Sequence, residues 1–175
     1  MFEMLIPKMR VKTVFDLDLE RLYSQGFRGI ITDLDNTLVG AKAPLATPEL
    51  IAWFEKVKKA GFQLVIVSNN QMARVSTFAT PLDIRFVHEA RKPSNAPFRK
   101  AMQMMGLKSE ETIVVGDQML TDVYGGNRLG LFTVLVLPIS IQDEGWGTRI
   151  NRRLEKIALA RLRKKGLWLE EEHQQ

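Results

Sequence analysis

The chain has no cysteine among its 175 residues. That removes disulfides, zinc–thiolate centres and thiol nucleophiles, and it accords with a reducing compartment. Histidine is nearly as scarce: only His88 and His173 offer imidazole, too few for a histidine-rich metal site. Long hydrophobic runs are lacking too. The longest, near "GLFTVLVLPI" from Gly130 to Ile139, falls well short of the roughly 18 apolar residues of a membrane-spanning helix. The opening "MFEMLIPKMR" lacks the basic start, apolar stretch and small-residue cleavage site of a secretory signal. The expected location is therefore cytoplasmic, with room for peripheral attachment at the inner face of the membrane.

What remains is an ordinary globular composition, 45% apolar and 26% charged, of a length that suits one domain with a real core. The net charge of +5 is unevenly placed. From Arg149 to Lys165 there are eight basic residues and one acid, Glu155, and without them the chain is slightly acidic. A local excess asks for a local explanation.

Apolar runs alternate with helical patterns. "RGIIT" (Arg28 to Thr32), "FQLVIVS" (Phe62 to Ser68), "DIRFVHE" (Asp83 to Glu89), "TIVVGD" (Thr112 to Asp117) and "FTVLVLP" (Phe132 to Pro138) read as five strands. Between them, "TPELIAWFEKVKKAG" has a Thr47 cap, Pro48 in the first turn and a closing Gly61. A weaker helix is expected at Met72 to Thr80, one with a serine cap and a closing glycine at Ser94 to Gly106, and one with an imperfect end at Leu120 to Gly130. Met102, Met104 and Met105 read as core filler. Continuous Val/Ile/Leu strands separated by helices predict an α/β fold: one doubly wound, Rossmann-like, five-stranded parallel sheet. The expected division is an N-terminal helical extension over 1–27, a core over 28–139 and a basic amphipathic helix with a tail over 140–175.

In such sheets ligands bind beyond the carboxyl ends of the strands. The first strand ends in Asp33-Leu34-Asp35-Asn36-Thr37, the second in Ser68-Asn69-Asn70. The third is followed by Arg91-Lys92-Pro93, and the fourth ends in Gly116-Asp117 with Asp122 close behind. This set suits phosphoryl transfer. Asp33 and Asp35, two apart on an extended chain, project to one side. One carboxylate can attack phosphorus and the other can handle the protons. Asp117 is a natural further ligand for Mg²⁺, which favours oxygen donors. Lys92 can balance phosphoryl charge, and Ser68, with Asn69 beside it, can hold phosphate oxygens. Asp122 has a competing explanation as a first-turn helix acid, and the mechanism leaves His88 no task.

A second Asp-Leu-Asp stands in "FDLDLE" from Phe15 to Glu20. Leu19, Leu22 and Tyr23 follow at helical spacing, so Asp16 and Asp18 sit where a helix begins. No strand precedes them.

The motifs "DLDNT", "SNN", Lys92 and "GDQMLTD", in that order, resemble the haloacid dehalogenase (HAD) superfamily of phosphatases. The longer stretches "GIITDLDNTLV", "IVSNN", "ARKP" and "VVGDQMLTDVYGGNRLG" resemble its YqeG-type branch in subclass IIIA, whose mitochondrial and plastid relatives include phosphatidylglycerophosphate phosphatases. The resemblance implies Asp33 as nucleophile, Asp35 as general acid/base, and Ser68 and Lys92 on the phosphate. It also implies Mg²⁺ held by the Asp33 carboxylate, the Asp35 carbonyl and Asp117, with Asp122 in support. The expected activity is Mg²⁺-dependent phosphomonoester hydrolysis through an aspartyl-phosphate. The favoured substrate is phosphatidylglycerophosphate or a similar anionic headgroup; the alternatives are a soluble sugar, nucleotide or protein phosphate, or a HAD-fold module that binds RNA or protein.

The gaps from Asp35 to Ser68 and from Ser68 to Lys92 each hold one helix and one strand, so no inserted cap domain fits. An open site suits a phosphate displayed on something large, or a second subunit that covers it. The basic segment, Thr148 to Trp168, reads as an amphipathic helix. At 100° per residue Ile150, Leu154, Ile157, Ala158 and Leu162 gather on one side, and Arg149, Arg152, Arg153, Lys156, Arg163 and Lys164 on the other. Either the apolar side packs on the domain and the basic side is merely solvated, or the basic side also faces anionic lipid. RNA ranks lower, because no aromatic residues interleave the basic ones.

Overall fold

Three strands carry nearly unbroken β-branched or aliphatic runs and form the centre of a parallel sheet. They are β2 (Gly29–Thr32), β3 (Gln63–Val67) and β5 (Thr112–Gly116). The structure, a computed structural model, describes residues 2–140 and 146–168. Among these, β1 (Met9–Arg10), β4 (Arg85–Val87) and β6 (Phe132–Leu135) complete a six-stranded sheet in the order β1-β6-β5-β2-β3-β4. Every pairing is parallel. The α/β doubly wound class holds, with one strand more than expected. The addition is β1, only two residues long. It joins through backbone bonds from Lys8 N to Thr133 O (2.9 Å) and Val11 N to Leu135 O (3.1 Å). Two residues carry no readable periodicity, so the first 27 residues, expected as a helical extension, also supply an edge strand.

The helices are α1 (Leu19–Ser24), α2 (Pro48–Lys59), α3 (Met72–Ala79), α4 (Asn95–Met105), α5 (Tyr124–Asn127) and α6 (Trp146–Lys164). Thr47 caps α2 by accepting from Leu50 N at 3.2 Å, and Gly61 follows in a left-handed conformation. Asp18 caps α1 through Arg21 N (3.0 Å), while Asp16 accepts from Thr13 N at 2.8 Å. Both acids of the first Asp-Leu-Asp thus serve local backbone ends. The expected helix after β5 opens as a π turn, Met119–Val123, before the short α5.

Strand alternation distributes side chains to two cores. Ile30, Ile66, Ile113 and Val115 pack with Leu50, Trp53 and Phe78 on one face. Ile31, Val65, Val67 and Val114 pack with Phe98, Ala101 and Met105 on the other. Both faces of β2 are therefore dry, and each fully buried Ile contributes roughly 1.5–3 kcal/mol. Only the carboxyl edge of the sheet is left to present polar groups. Between β2 and β3 lies only α2 with its loops, and between β3 and β4 only α3 and a 3₁₀ turn, so no cap domain is inserted.

The docking of α6 departs from expectation. It begins upstream of Thr148, and it buries Glu155, Ala158 and Leu162, the last two with Leu5 and Met119. Leu154 and Ile157 remain 50% and 52% exposed, and Ile150 is exposed as well. The helix is rotated so that only part of its apolar stripe faces the domain. Among the described residues no helix is long and apolar enough to cross a membrane. The tail beyond residue 168, with His173, lies outside the described residues.

Candidate active site

The chain reverses its winding at β2, whose neighbours are β3 and β5. This is the switch point at which such sheets bind ligands. Asp33 leaves the end of β2 with its N–H bonded to Val115 O of β5 at 2.9 Å. The chain then turns sharply through Asn36, which is left-handed at φ 66°, a conformation Asn tolerates well. A bond from Asn36 N to Val39 O (2.6 Å) closes that turn. The buried Asn36 side chain also accepts from Ser140 N at 3.2 Å, tying the turn to the chain after β6.

A cleft of about 280 Å³ opens here, lined by Asp33, Asp35, Asn36, Ala41, Ser68, Asn69, Asn70, Lys92, Gln118, Thr121 and Thr148. The residues expected from four separate strand ends are thus brought together. Lys92, almost wholly buried, bridges Asp33 Oδ1 (2.9 Å) and Asp122 Oδ1 (2.7 Å). Burial alone would lower its ammonium, but Asp122 and Asp33 more than offset that and push it up, so it stays charged. Asn69 clamps the main chain of Lys92, accepting from Lys92 N at 2.7 Å and donating to Lys92 O at 3.5 Å. Its amide thus holds the lysine loop where it lines the cleft. Ser68 is buried, and its hydroxyl oxygen accepts from Asn70 N at 3.1 Å.

Asp35 has partners of its own. Arg74, in the first turn of α3, donates to Asp35 Oδ1 from Nε (3.1 Å) and Nη2 (2.8 Å), and Asn70 donates to Oδ2 at 2.9 Å. Its side chain lies outside the acidic cluster, in which carboxylate oxygens of Asp33, Asp117 and Asp122 all fall within 4.8 Å of one another. Burial first, then Asp33 and Asp122, raise the Asp117 carboxyl to about 7, although Arg152 partly opposes this. Burial likewise raises Asp122 to about 6 against the pull of Lys92. Three buried carboxylates are thus crowded beyond what two neighbouring cations relieve. Their oxygen-only donor set suits a hard divalent cation such as Mg²⁺.

Asp122 reaches this position because Gly116 has no side chain; a methyl there would overlap the Asp122 carboxyl. Gln118 N also donates to Asp122 Oδ2 at 3.3 Å. His88 instead pairs with Glu89 at 3.0 Å.

Three contacts were not legible as site features. Thr37 Oγ1 donates to Asp117 Oδ1 at 3.0 Å, and its place two residues after Asp35 was the available signal. Arg74 had none beyond a first-turn position. Arg152, expected on the outward basic face of α6, donates from Nη1 to Asp117 O at 2.6 Å and from Nη2 to Asp117 Oδ2.

A HAD-hydrolase-like family model matches residues 89–138. The chain is 48% identical over 161 residues to the Probable phosphatase YqeG of Bacillus subtilis, covering 92% of this chain and 93% of that protein. It belongs to the HAD superfamily and is a phosphoric monoester hydrolase. Within that superfamily it falls in the YqeG-type branch. Phosphatidylglycerophosphate phosphatase 1, chloroplastic/mitochondrial, of Arabidopsis thaliana is 31% identical over 175 residues, 94% of this chain but half (50%) of that protein. The fold is shared with the cobalt-bound deoxy-D-mannose-octulosonate 8-phosphate phosphatase of Haemophilus influenzae, at a TM-score of 0.50 and 15% identity over 82% of this chain and 91% of that one.

Proposed function

We propose that the chain hydrolyses a phosphomonoester through an aspartyl-phosphate on Asp33, with Mg²⁺ as cofactor. One observation carries this reading: Asp33 lines the cleft with one oxygen held by Lys92, beside the buried Asp117 and Asp122 carboxylates. An Asp33 oxygen attacks phosphorus and the P–O bond to the alcohol breaks. Asp35, also lining the cleft, gives its proton to the departing oxygen. Asp35 then takes a proton from water, which attacks phosphorus, releases phosphate and restores the Asp33 carboxylate. Lys92 and the Ser68 hydroxyl hold phosphoryl oxygens, and Asn69 keeps Lys92 in place. Asp33, the Asp35 carbonyl and Asp117 would hold the metal, with Asp122 in support. When bound, Mg²⁺ neutralises phosphoryl charge and orients the phosphate.

For the substrate we favour phosphatidylglycerophosphate or a similar anionic phospholipid headgroup, met at the inner face of a membrane. Two plastid-type relatives carry that substrate in their names. The cleft has no inserted cap, which leaves room for a phosphate displayed on a surface. Beside it, α6 exposes Ile150, Leu154 and Ile157 next to exposed Arg153, Lys156 and Lys164. Apolar side chains flanked by bases suit an anionic bilayer, each base contributing roughly 1 kcal/mol near the surface. The test compares phosphatidylglycerophosphate in anionic vesicles with soluble phosphomonoesters, for wild type and for a double charge reversal, Arg153→Glu with Lys156→Glu. The lipid should be turned over at least 10-fold more efficiently, and the double variant should lose vesicle binding while keeping turnover of soluble esters. A preference for soluble esters would overturn the lipid assignment.

A further inference from the structure

We propose that α6 is part of the active site and that Arg152 is a positioning residue, fixing the orientation of Asp117 for a divalent cation. The inference rests on the reading of the acidic cluster as a metal site. A helix docked only by packing needs apolar residues on its buried side. This one instead turns Arg152 and Glu155 inward, their side chains only 15% and 10% exposed. Burying charged groups costs desolvation, so packing alone does not account for them.

Their partners do. Asp117 is gripped at three points. Arg152 spans its main-chain carbonyl and Oδ2, and Thr37 donates to Oδ1. A planar guanidinium that holds two oxygens of one residue restrains its side-chain torsions in a way a point charge cannot. Glu155 braces the arginine at 3.4 Å and accepts from Leu120 N at 3.0 Å. Asn151 donates to Gln118 Oε1 at 3.4 Å. The helix therefore makes polar contacts at three positions of the segment that carries Asp117. Ala158 and Leu162 anchor it against Met119. Partners that orient metal ligands from behind commonly matter 10–100-fold in affinity.

The sign of the effect separates this role from simple charge. Arg152 places a positive charge beside a proposed cation site, so by repulsion alone its removal would tighten metal binding. Orientation of Asp117 predicts the reverse. The test is Mn²⁺ affinity of the metal-stripped full chain, followed by electron paramagnetic resonance and calorimetry, for wild type, Arg152→Gln and Arg152→Lys, each taken to its high-pH plateau, where the proton on Asp117 no longer competes with the metal. We expect Arg152→Gln to bind Mn²⁺ roughly 10-fold or more weakly. Arg152→Lys should lie between, since an ammonium reaches one acceptor well but not two. Circular dichroism confirms that each variant is folded, and Arg152→Lys carries the comparison if Arg152→Gln is not. Unchanged or tighter Mn²⁺ binding would overturn the role of Arg152 alone. A wild type that binds no Mn²⁺ would overturn the metal-site reading as well.

Discussion

At the scale of single residues, chemistry at the site is set by crowding. Asp33, Asp117 and Asp122 share one buried corner with Lys92 and Arg152 as the neighbouring cations. The raised Asp117 carboxyl, about 7 against an ordinary 3.8, has a consequence for stability. An acid with a higher value in the folded state holds more protons there than in the unfolded chain. Its contribution is fully present below about pH 4 and is lost as pH rises through about 7. In chelator, the wild type should therefore lose stability relative to Asp117→Asn between those limits, as read by urea unfolding at several pH values. Parallel stability curves would remove the crowding from the account. The acids themselves were legible, because strand ends and motif order pick them out. Arg74 and Arg152 were not. Each meets its aspartate across 35 or more positions, and that encounter is created by the fold, with no trace in the neighbouring residues.

At the scale of elements, caps and strands set the two Asp-Leu-Asp copies apart. Asp16 and Asp18 satisfy backbone N–H groups at a 3₁₀ turn and at the start of α1. Asp33 and Asp35 follow a dry strand and face the cleft. Asp18→Ala should cost about 1 kcal/mol, visible as a lowered Tm, and should leave kcat/KM for a soluble phosphomonoester within about twofold. A large loss of activity in a folded Asp18→Ala would contradict the division. The long periodic elements were readable because burial on both faces demands apolar runs. β1 was not, since two backbone-bonded residues need no pattern. The orientation of α6 was also hidden. In the observed rotation Arg152 and Glu155 make polar contacts with the segment from Asp117 to Leu120, and the apolar stripe carries no sign of them.

At the scale of the whole molecule, a parallel sheet with a switch point at β2 collects what the chain keeps apart. β2 brings the two aspartates, β3 the serine, the segment after β4 the lysine, and β5 with the π turn the remaining carboxylates. The sheet and this convergence could be anticipated from the order of strand-end residues. The contribution of the C-terminal helix could not, because it depends on how a separate element docks. This convergence puts Asp33 in the place of the proposed nucleophile. The most direct test of that role is chemical trapping. Enzyme turning over a soluble phosphomonoester with Mg²⁺ is quenched, reduced with borohydride and mapped by mass spectrometry. A nucleophilic Asp33 leaves a reduced side chain, homoserine, at position 33 that depends on substrate, and Asp33→Asn gives no turnover. Reduction at another carboxylate, or sustained turnover in Asp33→Asn, would contradict it.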